Sequence, residues 1–341
     1  MKKKNLYAVI LAQDASQTLW PLHRKNQDSD LVSVSPDQSL LEQALGVIES
    51  YIPFEFRYVV LSEKQDSTLS DSIKGLASVF LDQPSWKGTA PAFLHACLAI
   101  QASDPEAIVI GIPTDIYFST PKKALEFIMH AVDHVSEHDD ITLLGISPSY
   151  DSAEHSLIIY DFALTSPYHV ASYKTPSEGV NKKSILGQEN MLWDSGIVVV
   201  QARSFVEICN KENNVLYKAM IKYLSGECSF DDVPDCSLED AIFKSTKKMV
   251  VLPAHFPWYS LRSLESFLAV KNHLAGEQNI VTIDAQNNLV EVQDSLVALV
   301  GVNNLCIVQS EDVLLVVSRD QLDKIKLVLE MLKQHQSKEY L

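Results

Sequence analysis

Short apolar runs and amphipathic stretches alternate along the first 150 residues of the chain. Apolar runs of strand length recur, at residues 7–12, 56–61, 78–81, 107–112 and 141–146. Helical apolar spacing or helix-start sequences lie between several of them, at residues 39–48, 89–102 and 121–135. Because strands that alternate with helices form parallel sheets covered on both faces, the pattern predicts a doubly wound, mainly parallel α/β domain.

From about residue 276 the pattern changes to short runs of β-forming residues, separated by turn sequences such as Gln286-Asn287-Asn288. Regular short strands with tight turns are typical of a compact all-β unit. A final amphipathic helix follows from Asp320 to about residue 334. The sequence therefore predicts two domains, residues 1–275 and residues 276–341.

The charge and cysteine content argue against several classes of function. The net charge of −16 opposes binding to nucleic acid or to an anionic membrane surface. The five cysteines are scattered without metal-ligand or redox spacing, which fits a reducing cytosol. No apolar run reaches transmembrane length, and the N-terminal lysines and apolar run lead to no cleavage site. We therefore expect a cytoplasmic protein that binds neither nucleic acid nor membrane.

The segment from Tyr7 to Arg24 places a loop after the first short apolar strand. In open α/β folds, ligands bind at such carboxyl ends of strands. The segment resembles the opening signature of sugar-nucleotide pyrophosphorylases, most closely mannose-1-phosphate guanylyltransferase, which reads Ala-Gly-Gly-x-Gly-x-Arg-Leu-Trp-Pro-Leu-x-Arg. The matching residues are Ala12, Leu19, Trp20, Pro21, Leu22 and Arg24. On this segment alone, a strand–loop–helix of some other α/β protein stays open as the alternative.

The same signature has lost the residues that would contact phosphate. Its glycine and arginine positions hold Gln13, Asp14, Ser16 and Thr18. A phosphate-binding loop needs bare backbone and a nearby cation. Two like charges about 4 Å apart repel by roughly 4 kcal/mol at an effective dielectric near 20, so a carboxylate here opposes an anion. The basic residues left for phosphate are Arg24 and Lys25, and we assign the catalytic role to them.

Two further stretches resemble nucleotide-contacting motifs of the family. Residues 84–92 resemble the guanine-reading loop Pro-x-x-Arg-Asn-Thr-Ala-Pro-Ala, and residues 192–197 resemble Leu-Trp-Asn-Ser-Gly-Met. The resemblance assigns nucleotide or sugar contacts to Ala12, Gln13, Lys87, Gly88, Thr89, Ala90, Asp194, Ser195 and Gly196. Structural alternatives stay open, since the first stretch is also a good helix start and Ser195-Gly196 is equally typical of a bulge.

The metal positions of the family are only half retained. Ile112-Pro113-Thr114-Asp115 resembles Leu-Pro-x-Asp-His, whose aspartate holds the catalytic Mg²⁺. The second metal aspartate, in Trp-x-Asp-Val-Gly-x-Trp, falls on Ser260, and the glycine two residues later falls on Arg262. Asp115 is therefore the candidate metal ligand, with a helix or turn cap as its alternative role. We expect divalent metal to bind weakly.

The sugar-phosphate and C-terminal motifs complete the comparison. The family's Val-Glu-Lys-Pro matches Tyr173-Lys174-Thr175-Pro176, where both its acid and its lysine are replaced. Residues 300–305 and 311–316 resemble the family's C-terminal unit. The resemblance implies a short left-handed β-coil there, through which a homodimer or another protein partner would be bound.

The resemblance implies a reaction in which mannose 1-phosphate attacks the α-phosphate of GTP, with Mg²⁺ as cofactor, releasing diphosphate and GDP-mannose. Two hypotheses follow. The first is a divergent guanylyltransferase that uses Arg24, Lys25 or Lys87 for phosphate and Asp115 for metal. The second is a catalytically inactive relative that binds a partner or a sugar ligand, or dimerises with an active paralogue. The losses favour the second, because drift in a working enzyme would not spare packing residues and remove phosphate contacts.

Overall fold

A computed structural model gives the fold and describes residues 5–12, 19–23, 33–34, 38–63, 69, 71–148, 155–162, 165–175, 189–275, 279–292, 295–334, 337 and 340. Within these ranges the strands are β1 (Leu6–Leu11), β2 (Arg57–Ser62), β3 (Val79–Gln83), β4 (Ile108–Pro113), β5 (Ile116–Phe118), β6 (Ile141–Ile146), β7 (Leu157–Tyr160), β8 (Tyr168–Lys174), β9 (Met191–Gln201), β10 (Met249–Ala254), β11 (Trp258–Ser260), β12 (Ile280–Ile283), β13 (Leu289–Glu291), β14 (Val297–Val300), β15 (Leu305–Ser310) and β16 (Val313–Ser318). The helices are α1 (Leu40–Ile48), α2 (Asp71–Lys74), α3 (Thr89–Ser103), α4 (Pro121–Glu137), α5 (Ala202–Glu212), α6 (Asn214–Leu224), α7 (Leu264–Ala275) and α8 (Ile325–Gln334).

The chain forms two compact units. The first comprises residues 1–13, 41–114 and 118–258, and the second comprises residues 14–40, 115–117 and 259–341. The boundary at residue 275 that the sequence suggests stays a prediction. Among the described residues, no helix has the length and apolar content needed to cross a membrane.

The first unit is built on one mixed sheet. Among the described residues its strand order is β3-β2-β1-β4-β9-β6-β10-β8-β7. Strands β1 to β4 pair in parallel with one another, and so do β6 and β10. Strand β9 runs antiparallel between β4 and β6. The predicted doubly wound, mainly parallel sheet is therefore confirmed, with antiparallel pairings at β9 and at β8, which runs antiparallel to β10.

Apolar strand and helix segments of the first unit are buried, as their sequences predict. Residues 7–12 are all buried, as expected for a parallel strand covered on both faces. Helix α3 is apolar on most of its circumference and is buried along most of its length, the pattern of a helix inside a core. The rings of Phe93 on α3 and Phe205 on α5 meet edge to face, with their centres 4.8 Å apart. Helix α3 is thus packed in the core, and its first residues follow directly on the loop that precedes it.

The second unit contains the predicted β-coil. Strand β12 pairs in parallel with β14, and β13 pairs in parallel with β15, so successive turns of the chain stack on one another. Asparagines hold the corners: Asn288 Oδ1 accepts the Leu305 N–H at 3.0 Å, and Asn303 Oδ1 accepts the Gln286 N–H at 2.7 Å. The backbone of Asn304 has a φ of 60°, which asparagine tolerates better than most residues. The turn sequences seen in the chain are therefore the corners of the coil.

Helix α7 begins later than the sequence pattern suggests. The apolar spacing predicts a helix from Leu261, whereas α7 starts at Leu264. The hydroxyl of Ser263 accepts the Ser266 N–H at 3.2 Å, which is the hydrogen bond of an N-cap residue. The cap therefore fixes the start, and residues 261 and 262 remain in the preceding loop.

Candidate functional site

The carboxyl end of β1 is fixed by the backbone of its neighbours. The Ala12 N–H donates to the Val60 carbonyl at 2.9 Å, and the Thr114 N–H donates to the Leu11 carbonyl at 3.2 Å. Ala12 itself is buried. Gln13, Arg24 and Lys25 lie outside the described residues, and their roles stay predictions.

The loop that precedes α3 is held by a second loop, residues 230–238. The Cys236 N–H donates to the Lys87 carbonyl at 3.1 Å, and the Ala90 N–H donates to the Cys236 carbonyl at 3.3 Å. Thr89 Oγ1 accepts the Leu238 N–H at 2.9 Å. The helix start predicted at Thr89 is therefore present, and the polar groups of Thr89 and Ala90 make contacts inside the chain.

Gly88 has a backbone conformation that other residues rarely adopt. Its φ is 93° and its ψ is 173°, a region that is essentially restricted to glycine. A Cβ added at this position would lie 2.3 Å from the Cys236 carbonyl oxygen. The asparagine that the family motif has here would not fit on this backbone, so the replacement by glycine accompanies the close approach of the two loops.

The side-chain ammonium group of Lys87 contacts the same second loop. Its Nζ donates to the carbonyls of Asp231 at 2.7 Å and Val233 at 2.9 Å. It also lies 5.7 Å from the centre of the Phe230 ring, within reach of a cation–π interaction. The cation that the sequence assigns to the nucleotide is therefore already bound by backbone carbonyls of its own chain.

Asp194 is buried and paired with Tyr173. The Tyr173 hydroxyl donates to Asp194 Oδ2 at 2.5 Å, and the Gly196 N–H donates to Asp194 Oδ1 at 2.8 Å. Burial, reinforced by the Asp194 carboxylate, raises the pKa of Tyr173 well above its usual value of 10. Both oxygens of the aspartate thus have partners inside the chain. The sequence missed this pair, although Tyr173 and Asp194 each depart from a family motif.

Ser195 and Gly196 lie where β9 is irregular. The β6–β9 register passes from Leu143↔Val198 to Gly145↔Asp194, so β9 contributes two more residues than β6 over this interval. The Ile197 N–H donates to Ser195 Oγ at 3.2 Å, and Gly196 has a φ of 81°. This geometry matches the bulge that the sequence left open as an alternative.

In the second unit, Asp115 lies beside the other family metal position. The Leu261 N–H donates to the Asp115 carbonyl at 2.7 Å, and Arg262 Nε donates to Asp115 Oδ2 at 2.8 Å. The two side chains are only 15% and 27% exposed. Asp115 Oδ1 is buried without a hydrogen-bond partner among the described residues. The segments that carry the two metal motifs therefore lie side by side, and an ion pair joins Asp115 of one to Arg262 of the other.

The residues at this place do not fit a divalent cation. Ser260 stands at the second carboxylate position, and its hydroxyl accepts the Arg262 N–H at 3.4 Å. Mg²⁺ takes oxygen ligands in near-ideal octahedral geometry, with carboxylates supplying charge. In the described part of the chain, no group of three or more histidine, cysteine, aspartate or glutamate side chains could hold a metal.

Comparison with known proteins supports the fold and the resemblance. Residues 278–332 match the family model for the MannoseP isomerase/GMP-like beta-helix domain. Mannose-1-phosphate guanylyltransferase 2 of Escherichia coli O157:H7 is 24% identical, over 100% of this chain and 76% of the relative. Mannose-1-phosphate guanylyltransferase of Salmonella muenchen is 23% identical, over 98% of this chain and 75% of the relative.

Solved structures agree with the architecture. The crystal structure of mannose-1-phosphate geranyltransferase from Thermus thermophilus superposes with a TM-score of 0.81 at 19% identity, covering 96% of this chain and 99% of the other. A putative glucose-1-phosphate thymidylyltransferase from Bacillus anthracis gives a TM-score of 0.53 at 12% identity, covering 80% and 96% of the two chains. The predicted α/β fold with a C-terminal β-coil is confirmed, and the chain is similar, over at least 98% of its length in the two sequence comparisons above, to mannose-1-phosphate guanylyltransferases.

Proposed function

We propose that this chain is a mannose-1-phosphate guanylyltransferase-like protein that does not transfer a guanylyl group and instead acts as a binding, regulatory or dimerisation partner. One observation carries the proposal. Each charged side chain that the structure describes at a predicted functional position is paired inside the chain: Lys87 with carbonyls, Asp194 with Tyr173, and Asp115 with Arg262.

These internal contacts compete with the family reaction. Transfer of a nucleotidyl group depends on positioning and on neutralising phosphate charge. To serve that purpose, Lys87 would have to leave two carbonyl acceptors and Asp115 would have to leave Arg262. A hydrogen bond to a charged group contributes about 1.5–3 kcal/mol, whereas micromolar affinity corresponds to about 8 kcal/mol in total. Breaking both sets of contacts would therefore consume a large part of the binding free energy.

The second candidate function is a divergent guanylyltransferase. It is favoured by the retained geometry of the motifs, since α3 starts at Thr89 and Asp115 lies beside residues 260–262. In that case GTP and mannose 1-phosphate would be the substrates, Mg²⁺ would be the cofactor, and Arg24 and Lys25 would contact phosphate.

The β-coil supports the partner role. Ile283 on β12 and Val300 on β14 are register neighbours, and they are 56% and 63% exposed. Val281, two residues before Ile283 on the same strand, is also exposed. Adjacent exposed apolar side chains are typical of protein contact surfaces. We place the contact with a second copy or another protein on this face, and the protein in the cytoplasm.

A diphosphate-release assay tests the proposal. Wild-type protein with GTP, mannose 1-phosphate and Mg²⁺ is expected to turn over at least about 1,000-fold more slowly than the E. coli relative under the same conditions, because single electrostatic contacts at such sites contribute factors of about 100 to 1,000. Turnover that approaches the relative's rate and disappears in Asp115→Ala would overturn the proposal in favour of the enzyme.

A further inference from the structure

The ion pair between Asp115 and Arg262 changes the electrostatics of the position where the family holds its metal. In the family motifs, two aspartates and one divalent cation sum to zero charge. In this chain, Asp115 remains, Ser260 is neutral, and Arg262 adds one positive charge. The sum over the same positions is again zero, with no ion bound.

We infer that the Arg262 guanidinium has replaced the divalent cation, so that this site is charge-balanced without metal. The inference rests on the proposed function only in equating residues 115 and 260 with the family's metal aspartates and residue 262 with the glycine beside them. It holds whether or not the chain transfers a guanylyl group.

Three contacts preorganise the replacement. The Leu261 N–H donates to the Asp115 carbonyl at 2.7 Å, which fixes the two segments side by side. The Ser260 hydroxyl accepts the Arg262 N–H, and Arg262 Nε then meets Asp115 Oδ2 at 2.8 Å. Ser260 accepts this N–H with a neutral hydroxyl, so the second negative charge that the family places here is absent.

Partial burial makes the arginine an effective competitor. Both side chains are mostly shielded from water, at 15% and 27% exposure, and charges interact more strongly when water is excluded. A divalent cation approaching Asp115 would meet a positive charge already hydrogen-bonded to one carboxylate oxygen. It would also find one carboxylate where a cation of this kind is usually held by more oxygen ligands.

The consequence concerns phosphate ligands. Metal ions in nucleotidyl and phosphoryl transfer sites bridge phosphate oxygens and neutralise their charge. Without such an ion, the described residues around Asp115 offer no divalent cation to bridge the oxygens of a triphosphate. A phosphate ester bound at this position would therefore be bound without a metal ion held by Asp115, and chelators are expected to leave the stability of the protein unchanged.

Mn²⁺ binding to the full-length protein, followed by electron paramagnetic resonance, tests the inference. Wild type is expected to bind Mn²⁺ no more tightly than about 1 mM at this site, and Ser260→Asp alone is expected to stay within about threefold of wild type. The double change Ser260→Asp with Arg262→Gly, which restores both family residues, is expected to tighten Mn²⁺ binding at least about 100-fold. Arg203→Gly is the matched control, because it also frees a carboxylate, Glu207, from an arginine 2.9 Å away, and it should gain no Mn²⁺ site.

A second measurement keeps the inference testable if the double variant does not fold. The Tm of wild type is expected to differ by less than about 1 °C between EDTA and 10 mM MgCl₂, since a ligand that binds only the native state raises Tm. A single Mn²⁺ bound at micromolar concentration by wild type, and lost in Asp115→Asn, would overturn the inference. Turnover that persists in EDTA would overturn the proposed function alone, and Mn²⁺ bound at Asp115 in an inactive protein would overturn this inference alone.

Discussion

Replacing Gly88 with alanine is expected to destabilise the protein by about 3 kcal/mol or more. The added Cβ would lie 2.3 Å from the Cys236 carbonyl oxygen, and the backbone at φ 93° and ψ 173° is unfavourable for any side chain. Relief requires the loop before α3 to separate from the loop at Cys236, which breaks the hydrogen bonds between them. The midpoint of urea unfolding measures the loss.

Gly226→Ala separates the two causes. Gly226 also has a positive φ, 77°, but nothing lies within 4 Å of the Cβ that would be added. We expect this control to lose only about 1 kcal/mol, the cost of placing a side chain in left-handed backbone. If both variants lost the same free energy of unfolding, the close contact with Cys236 would not contribute to the effect of Gly88→Ala.

Tyr173→Phe is expected to cost about 3 kcal/mol, because it leaves a buried carboxylate oxygen of Asp194 without the phenol that donates to it. Tyr160→Phe is the matched control on the adjacent strand. The Tyr160 hydroxyl also makes a 2.5 Å hydrogen bond, but to the neutral backbone carbonyl of Glu189. Its removal should cost about 1 kcal/mol. If both variants lost similar free energies of unfolding, the hydrogen bond from Tyr173 to the Asp194 carboxylate would contribute no more than one to a neutral carbonyl.

The same pair predicts a pH dependence. The pKa of Tyr173 is raised well above 10 in the folded protein by burial and by Asp194. Below pH 10 the phenol is protonated in both the folded and the unfolded states, and its contribution to stability is complete. Above pH 10 the unfolded chain releases the proton while the folded chain retains it, so stability falls with a slope of up to about 1.4 kcal/mol per pH unit. Tyr173→Phe should flatten the decline between pH 10 and 11, as urea unfolding at each pH would show.

Local sequence signals were sufficient for most elements of the sheet. The apolar run predicts a strand from Ile141 to Ile146, and β6 has those bounds, because an apolar run between turn residues is a local property. The start of α3 at Thr89 follows from Pro91 in its first turn. The direction of β9 was not predictable in this way, since it is set by pairing with β4 and β6 far along the chain.

In the candidate site too, short motifs in the sequence indicate which residues belong to it, but not which distant residues those side chains contact. The motif resemblance assigns Asp115 and the position of Ser260 to one metal site, and Asp115 contacts Arg262, which follows Ser260 by two residues and is 147 residues away from Asp115 in the chain. The resemblance could not show that Lys87 binds carbonyls 144 and 146 residues away, because no side-chain motif marks a backbone acceptor. Tyr173 and Asp194 each differ from the residue that the family motif has at that position. Nothing in the sequence links the two differences, because the residues come together only in the folded chain.

The contacts of Lys87, Asp115 and Asp194 share one feature. In the described part of the chain, the charged side chains at the predicted functional positions, Lys87, Asp115 and Asp194, each have a partner inside the chain. Crystals soaked in GTP and MgCl₂ test this most directly. We predict that the Arg262–Asp115 hydrogen bond, 2.8 Å here, stays intact and that no triphosphate is ordered beside it. A triphosphate ordered there, with Mg²⁺ on Asp115 and Arg262 turned away, would contradict the account.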